Sequence, residues 1–137
     1  MREILFRGKT LSGAWKYGYF LKSVNFDEDS IAVITDNKIP EYVLKNTIGQ
    51  YTGLCANGTR IFEGDIIESR ASENKEDWKY WQVIFYDGSY CFEREFKKRK
   101  YKHEQNLLCE DAINVYGLIV IGNIYDNPEL LKGEGKW

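Results

Sequence analysis

The segment at residues 51–67, YTGLCANGTRIFEGDII, limits the fold of this chain more than any other part of the sequence. Asn57 and Gly58 lie near its centre, between two stretches that carry aromatic and β-branched residues. Asn-Gly supplies the two positive-φ residues of a type I′ turn, which joins adjacent antiparallel strands. Gly64 interrupts the second stretch and predicts a bulge or a bend there. The segment therefore predicts a β-hairpin whose returning strand is bent.

A second hairpin is predicted around the Asp-Gly pair at residues 87–88, which is also a strong turn signal. The preceding stretch, KYWQVIFY at residues 79–86, alternates so that Trp81, Val83 and Phe85 share one face of a strand. We expect Trp81 to belong to the core, because large rings at such positions fill the interior of small β-domains.

A third alternating pattern lies near the start of the chain. At residues 14–23, the side chains of Trp15, Tyr17, Tyr19 and Leu21 fall on one face, and lysine, glycine and phenylalanine fall on the other. This pattern predicts a further strand.

The fold class predicted from these patterns is all-β. Aromatic residues make up 15% of the chain, with ten Tyr, which favours strands. Short strands joined by tight turns predict a small, strongly bent SH3-like β-barrel. Asn127 as a helix cap and Pro128 at the first helical position predict one short C-terminal helical turn. The expected core includes Ile61, Phe62, Ile66, Val83, Phe85, Ile119, Ile121 and Ile124.

The expected domain organisation is a single domain over residues 1–137. Residues 1–46 would form an N-terminal β extension, and residues 47–137 the barrel portion. Residues 106–112 are ambiguous and are compatible with a helical turn.

Charge and cysteine content restrict the classes of function. The formal net charge is −2, which provides no global field to hold a polyanion. Cys55, Cys91 and Cys109 are scattered and form no CxxC pair, so we expect reduced thiols in a cytoplasmic protein. No stretch resembles a signal peptide or reaches the roughly 18 apolar residues of a membrane helix.

Two sets of titratable residues are catalytic or metal-binding candidates. Glu63 and Asp65 form an acidic pair suited to acid–base work or metal binding, but an aspartate after a glycine more often ties its side chain to a nearby backbone N–H. His103 is the only histidine and lies in a cationic stretch unsuited to a catalytic base. Phosphate-binding glycine motifs are absent. We therefore expect no enzyme activity, no metal and no cofactor.

A basic stretch at residues 96–103 is the candidate contact region. Its cations suit phosphates and its rings suit base stacking, although a solvated strand end is the alternative, and neighbouring glutamates dilute its charge. Trp78 is a second candidate, for which a core position and a partner-binding position both stay open. The candidate contact residues are Trp78, Phe96, Lys97, Lys98, Arg99, Lys100, Tyr101 and Lys102.

Several motifs resemble the YopX family of phage and prophage proteins. They are YTGL, NG and IFEGDII within residues 51–67, VIFYDGSYCFE at residues 83–93, and IGNIYDNPELL at residues 121–131. The resemblance runs from end to end and is weakest at residues 96–116. It implies an all-β protein with an SH3-like barrel in its second half and a phage or prophage origin. It implies no activity.

Three hypotheses about function follow from the sequence. The first is a non-catalytic protein-interaction module whose partner is an unidentified phage or host protein, or a second copy of the chain. The alternative is a small β-barrel that binds nucleic acid through the basic stretch. An enzyme is the third and least favoured.

Overall fold

The structure is a computed structural model that describes residues 3–22, 32–36, 39–95 and 103–132. Within these ranges it contains one α-helix, α1 (Glu110–Tyr116), and 3-10 helices at Lys45–Thr47, Lys75–Asp77 and Pro128–Leu131. The β-strands are β1 (Phe6–Lys9), β2 (Trp15–Lys22), β3 (Ala32–Asp36), β4 (Ile39–Val43), β5 (Gly49–Ala56), β6 (Thr59–Phe62), β7 (Asp65–Ser69), β8 (Lys79–Tyr86), β9 (Ser89–Glu95), β10 (His103–Leu107) and β11 (Leu118–Asn123). The prediction of an all-β fold is confirmed.

The strands form two antiparallel sheets. The first has the order β4-β3-β2-β1-β5-β6, and the second has the order β10-β9-β8-β7-β11. The chain divides into two compact units, Met1–Gly53 and Leu54–Trp137, so the division falls within β5. The predicted single domain with a boundary at residues 46/47 stays a prediction.

A closed barrel is not found among the described strands, so the SH3-like detail of the prediction is not confirmed. In the second sheet, β10 and β11 lie at opposite edges with three strands between them. The two predicted hairpins fix only local pairing, whereas closure depends on the tilt and stagger of all strands together. The sequence motifs therefore indicated the hairpins but not how the sheet ends.

Both predicted hairpin turns are confirmed. Asn57 and Gly58 have φ angles of 51° and 78°, and Asp87 and Gly88 have φ angles of 51° and 80°. These left-handed conformations suit glycine and asparagine-type residues, which explains why the turns are visible in the sequence. The turns join β5 to β6 and β8 to β9.

The first unit has a small aliphatic core on one face of its sheet. Ile34 and Val43 are buried there, and Phe6 and Ile48 pack against them. A β-carbon built on Gly8 of β1 would lie 2.6 Å from Val43 Cγ2 and 3.2 Å from Ile34 Cδ1. The aliphatic side chains therefore rest directly on the backbone of β1, and this close approach requires glycine.

The second unit has a larger core that is centred on three aromatic rings. Phe92 packs edge-to-face on Trp81 and on Tyr116, with ring centroids 5.0 Å and 5.4 Å apart. Trp81 is buried, as predicted. Helix α1 contributes Ile113 to the same cluster. The other buried members are Ala56, Ile61, Ile67, Val83, Leu108 and Leu118.

The predicted core residues are confirmed only in part. Ile61, Phe62, Ile66 and Val83 are buried. Phe85 is 54% exposed, so its placement in the core was wrong. It lies next to the Asp87-Gly88 turn, where β8 runs beyond the core, and its ring packs on Tyr90 at 5.0 Å. The three isoleucines of the last predicted strand are only partly buried: Ile119, Ile121 and Ile124.

The C-terminal helical turn is present with Asn127 at its N-cap, as predicted, but the predicted side-chain cap bond is not formed. Pro128 occupies the start of the 3-10 helix, whereas the Asn127 side chain makes no cap hydrogen bond. The Asn127 Oδ1 atom instead accepts the N–H of Asn123 at 3.2 Å. A β-carbon on Gly122 would lie 2.8 Å from Asn127 Cγ, so glycine leaves the space in which this side chain turns back.

Candidate functional site

Several exposed large apolar side chains of the first unit share one face of its sheet, while Leu11, Ile39 and Phe20 are exposed elsewhere in that unit. Alternation along β2 places Trp15, Tyr17, Tyr19 and Leu21 on that face. Tyr42 of β4 joins them, because Leu21 pairs with Val33 of β3 and Val33 pairs with Tyr42. We call this set the aromatic face: Trp15, Tyr17, Tyr19, Leu21 and Tyr42.

The side chains of the aromatic face are open to solvent to different degrees. The exposed fraction is 68% for Tyr19, 54% for Tyr42, 49% for Leu21 and 43% for Tyr17. Trp15 is half-buried. Exposed apolar side chains gathered on one face are a feature of interaction sites.

Two cations lie at the β1 side of the aromatic face. Arg7 pairs with Tyr17 and Lys9 pairs with Trp15, so both side chains belong to the same face. The Arg7 Cζ atom lies 4.8 Å from the centroid of the Trp15 ring, and the Lys9 Nζ atom lies 5.9 Å from it. Both distances allow cation–π attraction. Among the described side chains of this face, the two cations therefore lie beside Trp15 and Tyr17, at the other end of β2 from Leu21.

The opposite face of the same strands is used for packing and ion pairing. Phe20 of β2, which is itself 41% exposed, packs on Phe6 with centroids 5.6 Å apart. Lys16 of β2 lies 3.5 Å from Glu41 of β4. The carboxylate of β4 is thus directed away from the aromatic face, because residues 41 and 42 alternate across the strand.

The spacing of the aromatic face follows from strand geometry. Tyr17 and Tyr19 are two residues apart, which corresponds to about 7 Å along β2. Leu21 and Tyr42 lie in line across β3, which corresponds to about 10 Å between the axes of β2 and β4. The exposed side chains therefore form a row along β2 and one further position beside it.

Trp78 is part of an ordered loop in the second unit. Its Nε1 atom donates a hydrogen bond to the Ser72 carbonyl at 2.8 Å. The Arg70 guanidinium lies 4.8 Å from its ring centroid, and the Lys75 Nζ atom lies 5.8 Å away. The ring is half-buried, so Trp78 is neither a core residue nor a fully exposed one, and its role stays open. The remaining candidate contact residues lie outside the described part of the chain: Phe96, Lys97, Lys98, Arg99, Lys100, Tyr101 and Lys102.

Of the two acidic residues at the β6–β7 turn, Asp65 has the structural role that the sequence favoured. The Asp65 Oδ2 atom accepts the Phe62 N–H at 2.7 Å, and Asp65 is only 2% exposed. Gly64 has a φ of 92° and bends the chain there. The Gly64 N–H donates to the Val83 carbonyl at 2.9 Å. Burial raises the pKa of the neighbouring Glu63 carboxyl.

Other sites considered from the sequence are less informative. His103 begins β10, and its side chain is outside the description. Within the described ranges, three or more His, Cys, Asp or Glu side chains nowhere gather closely enough to hold a metal ion. Among the same residues, no helix has both the length and the apolar character needed to cross a membrane. Within the same ranges, the cysteines at positions 55, 91 and 109 form no disulfide.

Comparison with known proteins agrees with the motifs seen in the sequence. The pattern of the YopX protein family matches residues 7–132. The crystal structure of the protein yopX from Bacillus subtilis is similar in fold, with a TM-score of 0.54 and 19% sequence identity over 97% of this chain and 98% of that chain. No curated protein matches the chain. Because the family pattern covers far more than half of the sequence, the chain belongs to the YopX protein family.

Proposed function

We propose that this protein is a non-catalytic accessory protein that binds another protein through its aromatic face. We further propose that it is encoded by a phage or prophage and acts in the cytoplasm of the bacterial host. The partner is a phage protein, a host protein or a second copy of the chain.

The observation that supports this proposal is the solvent exposure of the aromatic face. Tyrosine and tryptophan rings offer large, rigid contact areas with few rotatable bonds, and they dominate the binding energy of many interfaces. Tyr19 and Tyr42 each keep more than half of their surface exposed on a sheet whose other face carries the core. A partner that covers these rings would gain a binding free energy of about 25 cal/mol for each Å² of apolar surface removed from water.

The structural role of Asp65 also favours a binding function over a catalytic one, because its carboxylate is engaged within the fold. Asp65 is committed to the backbone N–H of Phe62 and is almost fully buried, so it stabilises the turn. Glu63 is partly buried beside it. We therefore assign the IFEGDII motif to folding and the aromatic face to function.

Affinity purification from cells that carry the phage or prophage tests the proposal. The double variant Tyr19→Thr/Tyr42→Thr removes two rings and keeps residues that suit strands. The control variant Tyr86→Thr removes a ring that is 60% exposed on β8, in the other unit. We expect one protein to be recovered with the wild type and with the control and to be lost with the double variant. Equal recovery with all three chains would contradict the proposal.

The alternative is nucleic-acid binding through residues 97–102. Fluorescence anisotropy with labelled single- and double-stranded DNA at low salt distinguishes it from the first proposal. Replacing Lys97, Lys98, Arg99 and Lys100 together with glutamine should weaken binding and flatten its salt dependence if the alternative is right. The Tyr19→Thr/Tyr42→Thr variant should then bind DNA as the wild type does.

A further inference from the structure

We propose that the outer edge of β10 pairs with the same edge of a second copy of the chain, in an antiparallel register centred on Gln105. The two copies then join their second sheets about a twofold axis. The β10 edge is separate from the aromatic face, so this pairing goes beyond the proposed function. The backbone groups at the sheet edges and the side chains of β10 both favour it.

The other three of the four edges formed by the described strands have an N–H that is missing or already bonded. Edge strands expose backbone groups to which another chain can pair, and proteins commonly block them. In β4, Pro40 has no N–H to offer an incoming strand. In β6, the Phe62 N–H is taken by Asp65 Oδ2 at 2.7 Å. In β11, the Asn123 N–H is taken by Asn127 Oδ1 at 3.2 Å.

The edge of β10 has no such block among the described residues. The Leu108 N–H donates to the Tyr90 carbonyl at 3.0 Å and so continues the ladder between β10 and β9. Alternation along this ladder directs the backbone groups of His103, Gln105 and Leu107 away from β9. Within the described ranges, neither the Gln105 N–H nor the Leu107 N–H bonds to another residue. The Leu107 side chain is 58% exposed, so this edge is open to solvent.

The outward backbone groups of β10 favour one register between two copies. When Gln105 faces Gln105 of the second copy, His103 faces Leu107 of that copy, and Leu107 faces its His103. Each of these pairs exchanges two backbone hydrogen bonds, which gives about six in all. A register centred on Glu104 would place two carboxylates opposite each other, which is unfavourable. Registers centred farther from the middle of β10 use fewer of the outward groups.

The side chains that meet in this register are complementary. Glu104 lies opposite Asn106 of the second copy, in a pair without backbone hydrogen bonds, where side chains approach each other closely. Among the described residues, the Asn106 Nδ2 atom is shielded from solvent and has no hydrogen-bond partner. An unpaired donor of this kind costs stability, and a carboxylate is a strong acceptor for it. Twofold symmetry forms this contact twice, which favours a second copy over an unrelated extended segment.

Sedimentation velocity of the full chain, over about 1 μM to 1 mM, tests this pairing. The contact is small, so we expect a concentration-dependent dimer. Gln105→Lys or Gln105→Glu alone places like charges across the twofold axis and should weaken dimerisation by about tenfold. An equimolar mixture of these two variants should dimerise at least as well as the wild type. Thr59→Lys, at an exposed position of the β6 edge, is the matched control and should have no effect.

Hydrogen exchange and a proline variant give independent checks. The N–H groups of Gln105 and Leu107 become bonded in the dimer, so their protection should rise with protein concentration. The Asn106 N–H already bonds towards β9 and should change much less. Gln105→Pro reproduces at β10 the block that Pro40 provides at β4, and it should keep the chain monomeric. Circular dichroism and thermal unfolding check that each variant is folded.

Three results would overturn the inference. They are a monomer at every concentration, self-association that no Gln105 variant changes, and a mixture of the lysine and glutamate variants that associates no better than either variant alone. Self-association that is lost with Tyr19→Thr/Tyr42→Thr but kept with Gln105→Lys would also overturn it, while supporting the proposed function of the aromatic face. A dimer that depends on Gln105 and not on the aromatic face supports the pairing, even if affinity purification contradicts the proposed function.

Discussion

The turn between β6 and β7 should depend on a single buried carboxylate. The Asp65 Oδ2 atom lies 2.7 Å from the backbone nitrogen of Phe62, and Phe62 is itself buried. A hydrogen bond to a charged acceptor contributes about 1.5–3 kcal/mol to stability. Asp65→Ala also leaves the Phe62 N–H without this acceptor. We therefore expect Asp65→Ala to lower the free energy of unfolding by about 3 kcal/mol.

The variant Asp65→Asn separates the acceptor from its charge. The asparagine carbonyl can still accept the Phe62 N–H, and a neutral hydrogen bond contributes about 1 kcal/mol. We therefore expect Asp65→Asn to cost roughly half as much as Asp65→Ala. Glu73→Ala is the matched control, because Glu73 is an exposed carboxylate in the following loop. Its effect should stay within about 0.5 kcal/mol.

Urea unfolding followed by tryptophan fluorescence measures these differences. With a slope of about 2 kcal/mol per molar, a loss of 3 kcal/mol moves the midpoint down by about 1.5 M. If Asp65→Ala fails to fold, Asp65→Asn still gives a measurable midpoint. A shift for Asp65→Ala as small as that of Glu73→Ala would refute the assignment of Asp65 to folding.

Three further predictions concern stability. Burial raises the pKa of Glu63 above 4.5, so its contribution to the free energy of unfolding is complete below that pH and is lost as the pH rises through the folded-state pKa. Glu63→Gln should therefore be more stable than the wild type at pH 7 but not at pH 4, and equal gains at both pH values would contradict this. Gly122→Ala should cost about 1–3 kcal/mol, and a double-mutant cycle with Asn127→Ala should show less than additive losses. Phe92→Ala should cost about 3–5 kcal/mol and Phe92→Leu about 1–2 in thermal unfolding, whereas a cost below 1 kcal/mol for alanine would be inconsistent with its central place.

Local backbone requirements explain which parts of the fold were visible in the sequence. Asn57 and Asp87 were recognised because a positive φ followed by glycine restricts the residue types at a turn. The alternation around Trp81 was recognised because strand side chains repeat every two residues. Phe85 obeys the same alternation but lies past the edge of the core, and no periodic pattern states where a core ends.

Residues 106–112 are ambiguous in the sequence, whereas helix α1 spans Glu110–Tyr116 and carries usable signals. Glu110 and Asp111 lie in its first turn, where negative charge is favourable, and Gly117 ends it with a φ of 59°. These signals are weak in a chain otherwise rich in strand formers. For the same reason the sequence did not predict Ile113 of this helix as a core residue of the second unit.

The candidate site was visible only in part. The sequence placed Trp15, Tyr17, Tyr19 and Leu21 on one face of a strand, but it could not show which face is exposed. That depends on what packs against the other side. Tyr42 was not predicted to join them, because its position follows from pairing through β3, which is not a local property.

The close contact at Gly8 has a consequence for how this family can diversify. Since Val43 and Ile34 lie almost on the backbone of β1, any larger residue at position 8 would push both aside. Substitutions on that side of the sheet should be purged during evolution. The exposed positions on the side that bears Tyr19 carry no such restriction. Exposed residues such as Tyr19 could therefore be exchanged during evolution while the packing on β1 stays unchanged.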